Sequence, residues 1–324
     1  MTAQKLKTYL KNLAGNRVVT GHPAPDTDAV ISALFEAYRL TASGLPATPL
    51  VQGSLPRETA WLLGELAPLL PVGQVGETAE ELVLTDHHDT AGYPCPVTAI
   101  IDHHPVSADT DLSGIDAEIL PVGAATTLVA RRLRRDGLTP DRECARILLG
   151  AILLDTEGLS SHKAKAPDVE MAAWLGSLCG EDPAALFAAL QAQLLSETDV
   201  TALYQRDYRR YTDTQGNPLL GWAILKVWAD ACPDLDAVRR LLEQDEAPTR
   251  IAKIVLNSRD DATRTEYYLA AGKGAQRVLE TVLTVSGESA CRVSDDTVFL
   301  PQTAAHYGRK RYAERLVSLL QEKS

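Results

Sequence analysis

Short apolar runs alternate with helix-period segments along the first half of the chain. Leu6, Tyr9, Leu10 and Leu13 recur at helical spacing until Gly15-Asn16 interrupts them. Arg17 to Thr20 then reads as a strand, followed by a helix over roughly 28 to 40, an extended stretch near Thr48 to Val51 and a helix through Thr59 to Leu63. Two further strands, Glu81 to Thr85 and Val97 to Ile101, come next. After Glu118 to Val122, the small-residue turn Gly123 to Thr127 opens a helix that ends in Arg131-Arg132-Leu133-Arg134-Arg135, and the apolar run Ile147 to Leu154 leads to Asp155. Strands separated by helices predict an α/β domain, a parallel sheet with helices on both faces.

Gly180-Glu181-Asp182-Pro183 marks the expected boundary between two domains, 1–182 and 183–324. Beyond it the pattern predicts a helix from Ala184 to Leu195 and continued helix from Ser196 to Tyr211, with Arg206-Asp207-Tyr208-Arg209-Arg210-Tyr211 as a cationic end. Leu219 to Trp228, Arg250 to Leu256 and Thr265 to Ala270 form a second sheet, covered by helices over Leu235 to Leu242 and Ala275 to Val282. Thr297 to Leu300, a loop, and a helix from about Arg309 close the chain.

The strand ends carry the chemistry. The first strand runs into Gly21-His22-Pro23-Ala24-Pro25-Asp26-Thr27-Asp28, the next two into Asp86-His87-His88 and Asp102-His103-His104. Taken alone, the stretch from Gly21 to Asp28 is equally a metal-ligand loop and a polar turn with an Asp capping the next helix. In a parallel sheet, however, ligands gather at the carboxyl ends of strands, so these residues converge. Asp155 adds a carboxylate that is costly to bury without a positive partner. His22, Asp26, Asp28, Asp86, His103 and Asp155 therefore assemble as one site. Imidazole and carboxylate without thiolate suit Mn²⁺, Co²⁺ or Mg²⁺ better than a structural zinc. The turn at Gly123 to Thr127 could also present N–H groups to an anion, although helix packing explains its small residues as well.

Composition narrows the class. A chain of 324 residues, 45% hydrophobic and 23% charged, is long enough for two cores. Its net charge of −11 gives no general attraction for nucleic acid or anionic membranes, so a polyanion must be held locally by metal and clustered cations. The five cysteines lack CxxC spacing, which predicts neither a zinc cluster nor a disulfide framework, and fits a cytoplasmic protein. No signal-like segment or membrane-spanning apolar run is found.

The order His-x-x-x-Asp-x-Asp, strand-Asp-His, strand-Asp-His-His, then Asp-Thr after an apolar helix resembles the DHH phosphoesterase superfamily. It is most similar to the manganese-dependent (family II) inorganic pyrophosphatases and the related exopolyphosphatases, across nearly the whole chain. The resemblance implies two Mn²⁺ (or Co²⁺) ions, with His22 and Asp26 on the first, Asp28, His103 and Asp155 on the second, and Asp86 bridging both. It makes Asp86 and His104 the catalytic residues, His104 touching substrate phosphate. It also implies a smaller C-terminal domain of the DHHA2 type with a mixed sheet, whose phosphate-binding motif corresponds here to Tyr307-Gly308-Arg309-Lys310-Arg311, making Arg309 and Lys310 the substrate clamp.

Two departures bear on substrate. Leu195-Ser196-Glu197-Thr198 stands where the pyrophosphatases carry a lysine-bearing segment, and Tyr204 to Arg210 is more like the exopolyphosphatase branch, which brings in Arg209 as a substrate contact. Asp86-His87-His88 stands where Asp-His-Asn is common; packing behind the ligands is the expected role of His87 and His88, and orienting its neighbours that of Asp102. Lys163, after Asp155, and His306, beside the basic run, are further substrate candidates whose bland reading is surface exposure. The expected reaction is hydrolysis of pyrophosphate by a metal-bridged hydroxide in the cleft between the domains, with a further Mg²⁺ carried by the substrate. Short-chain polyphosphate is the alternative substrate, and a non-catalytic phosphate-binding regulator the alternative class. By resemblance the protein is a homodimer.

Overall fold

Parallel pairing governs the first half of the chain, as the alternation of strands and helices requires. The computed structural model describes residues 1–324 apart from 107–109, 161, 214, 260–262, 288, 303–308 and 322–324, and apart from the side chains of 309–311, 313–314 and 321. Two compact units result, Met1–Gln193 and Leu194–Ser324. In the first, α1 (Ala3–Lys11) precedes β1 (Arg17–Thr20), α2 (Thr27–Ala42), β2 (Ala47–Leu50), α3 (Arg57–Leu63), β3 (Glu81–Thr85), β4 (Val97–Asp102) and β5 (Asp116–Ile119). The helices α4 (Ala125–Arg135), α5 (Arg142–Asp155), α6 (Ala166–Cys179) and α7 (Pro183–Leu194) follow.

All four strand pairs of this sheet are parallel, in the order β2-β1-β3-β4-β5. The order reverses direction at β1 and β3. Such a reversal leaves a crevice beyond the carboxyl ends of the two strands, since their connecting helices depart to opposite faces. The loop bearing His22 and the turn bearing Asp86 leave those two ends.

Helix α5 is buried nearly all round: Cys144, Ala145, Ile147, Leu148, Leu149, Ala151 and Ile152 show no exposure, because α5 packs between other helices rather than on a wet surface. Each buried Leu or Ile contributes roughly 1.5–3 kcal/mol, enough to hold a helix whose last residue, Asp155, is an acid. Helix α6, absent from the periodic reading, buries Asp168, Met171, Ala172, Leu175 and Cys179 and packs Trp174 and Leu178 against the same core. The boundary expected at 182 falls instead inside the first unit, because Leu186 and Leu190 of α7 belong to its core.

The second unit holds α8 (Val200–Arg206), β6 (Tyr208–Thr212), β7 (Pro218–Trp228), α9 (Leu235–Gln244), β8 (Thr249–Asn257), β9 (Arg264–Gly272), α10 (Ala275–Ser286), β10 (Cys291–Ser294), β11 (Thr297–Leu300) and α11 (Arg309–Gln321). Its sheet, ordered β10-β11-β9-β8-β7-β6, is mixed: β7 and β8 are parallel and the other pairs antiparallel. The cationic stretch expected to be helical up to Tyr211 breaks at Asp207 and becomes the outer strand β6. Tyr208 and Tyr211, three residues apart, pack into the cores on opposite faces of the sheet, which a strand allows and a helix does not. Among the described residues no helix is long and apolar enough to cross a membrane. All five cysteines are unpaired thiols.

Candidate metal centre

The loop after β1 turns sharply at Gly21, where a Cβ would lie 2.5 Å from that of Ala29. Only glycine lets the loop come so close to α2, and the following residues then face the crevice. His22 Nε2 stands 3.4 Å from Asp86 Oδ2 and 3.8 Å from Asp26 Oδ2. Asp26 serves both readings of this stretch at once. Its Oδ1 accepts the Ala29 N–H at 2.9 Å as the N-cap of α2, and its Oδ2 points toward His22.

Asp28, in the first turn of α2 and 2% exposed, accepts two backbone N–H groups at the N-terminus of α4, from Ala125 at 2.6 Å and Thr126 at 2.8 Å. The small-residue turn thus does present N–H groups to an anion, and that anion is the Asp28 carboxylate. Behind the turn, the fully buried Asp168 accepts the Gly123 N–H, the Lys165 N–H and the Thr127 hydroxyl. A Cβ on Gly123 would fall 2.9 Å from an Asp168 oxygen and 2.6 Å from the Thr156 methyl, so the turn must be glycine there.

The ends of β3 and β4 face this arrangement. Asp86 adopts a left-handed backbone, φ 61°, held by its N–H donating to Ile101 O at 2.9 Å. Left-handed backbone costs a non-glycine residue about 1–2 kcal/mol, and here it swings the carboxylate into the crevice. His103 Nε2 lies 3.0 Å from Asp86 Oδ1, 3.6 Å from Asp155 Oδ2 and 4.0 Å from Asp28 Oδ2. Its Nδ1 is 3.1 Å from Val122 O; a carbonyl only accepts, so Nδ1 carries a proton and Nε2 is the nitrogen that faces the acids. Asp102, fully buried, accepts the N–H groups of His103 and His104 and binds the rings of His104 at 2.9 Å and His88 at 2.5 Å. It orients histidines, and His104, 39% exposed, is left with its far edge outward.

The structure brings all six ligand candidates together in two groups, His22 with Asp26 and Asp86, and Asp28 with His103 and Asp155; within each group the donor atoms lie within 4.8 Å of one another. Asp86 faces both groups, Oδ2 toward His22 and Oδ1 toward His103. The charges show the strain of such crowding. Burial opposes charge on His22, but hydrogen bonds and charges of Asp26 and Asp86 outweigh it and push its pKa up to about 11. His103 is likewise raised: burial opposes its charge, but the carboxylates of Asp86, Asp28 and Asp155 prevail. Burial, then the charges of neighbouring acids, raises Asp28 and Asp155, whereas Asp86 is lowered because the histidines on either side outweigh its burial. Without a cation the cluster holds Asp86 by the charge of two histidines and favours protons on Asp28 and Asp155.

The remaining candidates fall as follows. Lys163 is exposed, yet its charge, like that of His103, works against the burial and neighbouring acids that raise the Asp155 pKa. Arg209 is exposed on β6, in the second unit. Arg309 and Lys310 open α11, their side chains outside the described residues, and His306 lies outside them altogether. Sequence reasoning missed Asp168, Gln52 and Tyr93. Asp168, directly after Pro167 in the first turn of a helix, carried a helix-start signal that could have found α6; the other two act through contacts distant in sequence.

A parallel sheet with histidines and carboxylates at its switch point, joined to a mixed-sheet unit, defines the class: a two-domain α/β protein with an imidazole and carboxylate donor set that could hold a metal ion. Among known proteins, the chain is 30% identical over 177 residues to the manganese-dependent inorganic pyrophosphatase of Methanothrix thermoacetophila, a match covering 53% of this chain and 57% of that protein. It is 31% identical over 205 residues to a Deinococcus radiodurans protein assigned the same activity, covering 59% and 64% of the two chains. The matched stretch thus spans less than two thirds of the length of either curated relative. A crystal structure of a Methanococcus jannaschii protein assigned to the family II inorganic pyrophosphatases superposes with a TM-score of 0.70 at 21% identity, over 93% of this chain and 99% of that one. The fold is that of the family II pyrophosphatases. No protein-family model matches the chain.

Proposed function

We propose that the protein is a metal-dependent hydrolase of phosphoanhydride bonds, acting first on inorganic pyrophosphate. The observation that carries this reading is the placing of Asp86 between two donor groups, its Oδ2 3.4 Å from His22 Nε2 and its Oδ1 3.0 Å from His103 Nε2, with Asp26, Asp28 and Asp155 gathered about the same two rings. A buried carboxylate amid three further acids calls for more positive charge than two histidines bring, and a divalent cation supplies it. His22, Asp26 and Asp86 would hold one ion, and Asp28, His103, Asp155 and Asp86 the other. All donors are imidazole or carboxylate, which suits Mn²⁺ or Co²⁺. When bound, a pair of such ions neutralises phosphate oxygens and acidifies water.

The chain's own groups do the rest. Asp102 fixes His103 for coordination and turns the outer edge of His104 toward substrate phosphate. Arg309, Lys310 and a Mg²⁺ arriving with the substrate would neutralise the remaining phosphate charge. The same reading makes the protein a cytoplasmic homodimer. Arg309→Ala is expected to lower turnover by about 10²-fold while leaving Mn²⁺ affinity unchanged, as measured by steady-state kinetics and metal titration. Loss of metal with loss of turnover would overturn that division of labour.

Short-chain polyphosphate is the second reading, supported by exposed Arg209 and Arg210 on the outer strand of the second sheet, where a longer polyanion would find cations. Phosphate release from pyrophosphate, tripolyphosphate and longer polyphosphate, each with Mn²⁺, Co²⁺ or Mg²⁺, decides between them. Release from none of these would leave the non-catalytic phosphate-binding reading in place of a hydrolase.

A further inference from the structure

Two loops carry the first group of ligands, and a chain of one buried and two partly buried side chains ties them together. On the β3 side, the His87 ring folds back across the left-handed Asp86, its Nδ1 3.0 Å from Thr85 O. A carbonyl only accepts, so Nδ1 donates and Nε2 must accept. The donor is the Tyr93 hydroxyl, 3.0 Å away. That hydroxyl oxygen accepts in turn from Gln52 Nε2 at 3.2 Å, and the second N–H of the same amide goes to Gly21 O at 3.1 Å. Gln52 is 3% exposed. Every donor and acceptor in the relay has one assignment, running from the Thr85 carbonyl through His87, Tyr93 and Gln52 to the peptide that sets the direction of His22.

The relay spans the crevice where His22 and Asp86 come within 3.4 Å of each other, and the His22 and His87 rings meet edge to face at 6.4 Å between centroids. We propose that Tyr93, acting through His87 and Gln52, is a positioning residue that sets the gap between the His22 loop and the Asp86 turn, and with it the affinity of His22, Asp26 and Asp86 for their divalent cation. This rests on the two-ion reading above. Phenylalanine at 93 removes only the hydroxyl, leaving His87 Nε2 without its donor and Gln52 with one acceptor fewer. The ring and its packing stay in place, so the change acts on position rather than on the fold.

The test is a Mn²⁺ titration of the full chain, with free Mn²⁺ followed by its paramagnetic resonance signal, on wild type, Tyr93→Phe and, as an independent break of the same relay, Gln52→Met. The expected result is two classes of site in the wild type. In both variants one class is weakened about 10-fold or more, the magnitude typical of removing a group that orients a metal ligand, and the other is unchanged. The thermal midpoint of the metal-free variants is expected to stay close to that of the wild type. Wild-type affinity at both classes in Tyr93→Phe, or equal weakening of both, overturns the inference and leaves the two-ion reading standing. A wild-type protein that binds no Mn²⁺ overturns both.

Discussion

Asp86→Asn is expected to lower phosphate release from pyrophosphate by about 10³-fold or more and to weaken Mn²⁺ at both groups of ligands together. Asparagine is the informative substitution. Asp86 sits at φ 61°, a conformation asparagine tolerates and alanine resists, so the variant changes charge without straining the turn. The amide offers one weak acceptor where the carboxylate offers two oxygens, and it can no longer face His22 and His103 alike. Two further consequences separate this from simple damage. The pKa of His22 and that of His103 should both fall when the charge between them is removed, visible in the ring resonances of the metal-free protein. An Asp86→Asn protein that binds Mn²⁺ as tightly as the wild type at either group would show that Asp86 does not bridge them.

The second large effect is a stabilisation by Mn²⁺ that grows with pH. In the metal-free protein, His22 is raised from 6.5 to about 11, so its protonated form stabilises the fold fully below 6.5 and that gain is lost as pH rises through 11. Asp155 is raised from 3.8 to about 6 and Asp28 in the same direction; acids with raised values favour the fold while protonated, and lose that contribution as pH climbs through the raised value. Every one of these shifts therefore makes the metal-free protein less stable on the alkaline side. A cation reverses the terms, because it needs the same groups deprotonated. At 100-fold excess over Kd one ion contributes about 2.7 kcal/mol, or on the order of 5 °C in midpoint. Thermal melts with and without Mn²⁺ at pH 5.5 and pH 8 check this: the shift is expected to be larger at pH 8. A shift that shrinks with pH would exclude the histidines and acids of this cluster as ligands.

The first domain was legible because its signals are local. An apolar run followed within two residues by Asp-His or Gly-His reads as strand and ligand together, and parallel topology brings the strand ends to one place without any knowledge of contacts. Asp155 was legible for the same reason, as an acid closing an apolar helix. What escaped depends on partners far along the chain. Whether Tyr208 to Thr212 is helix or strand is settled by the open edge of β7, not by its own residues. The carboxylate received by the Gly123 turn is 97 and 98 residues distant from the N–H groups that bind it. Gln52 and Tyr93 look like any loop polar residues until the loops are folded together. The domain boundary was displaced because the apolar face of α7 is the same whichever core it joins.

Asp28 has a consequence for how an ion is met. Two backbone amides fix both oxygens of its carboxylate before any metal arrives, and those amides are fixed in turn by the buried Asp168 behind them. The rotamer entropy of this ligand, about 0.5–1.5 kcal/mol for a side chain that must otherwise be immobilised on binding, is thus settled when the polypeptide folds. Asp26, half exposed at the loop and held by one oxygen only, carries more of that ordering into the binding event. On the two-ion reading the ions would meet unlike welcomes: one a rigid cradle braced by a helix end, the other a looser grip.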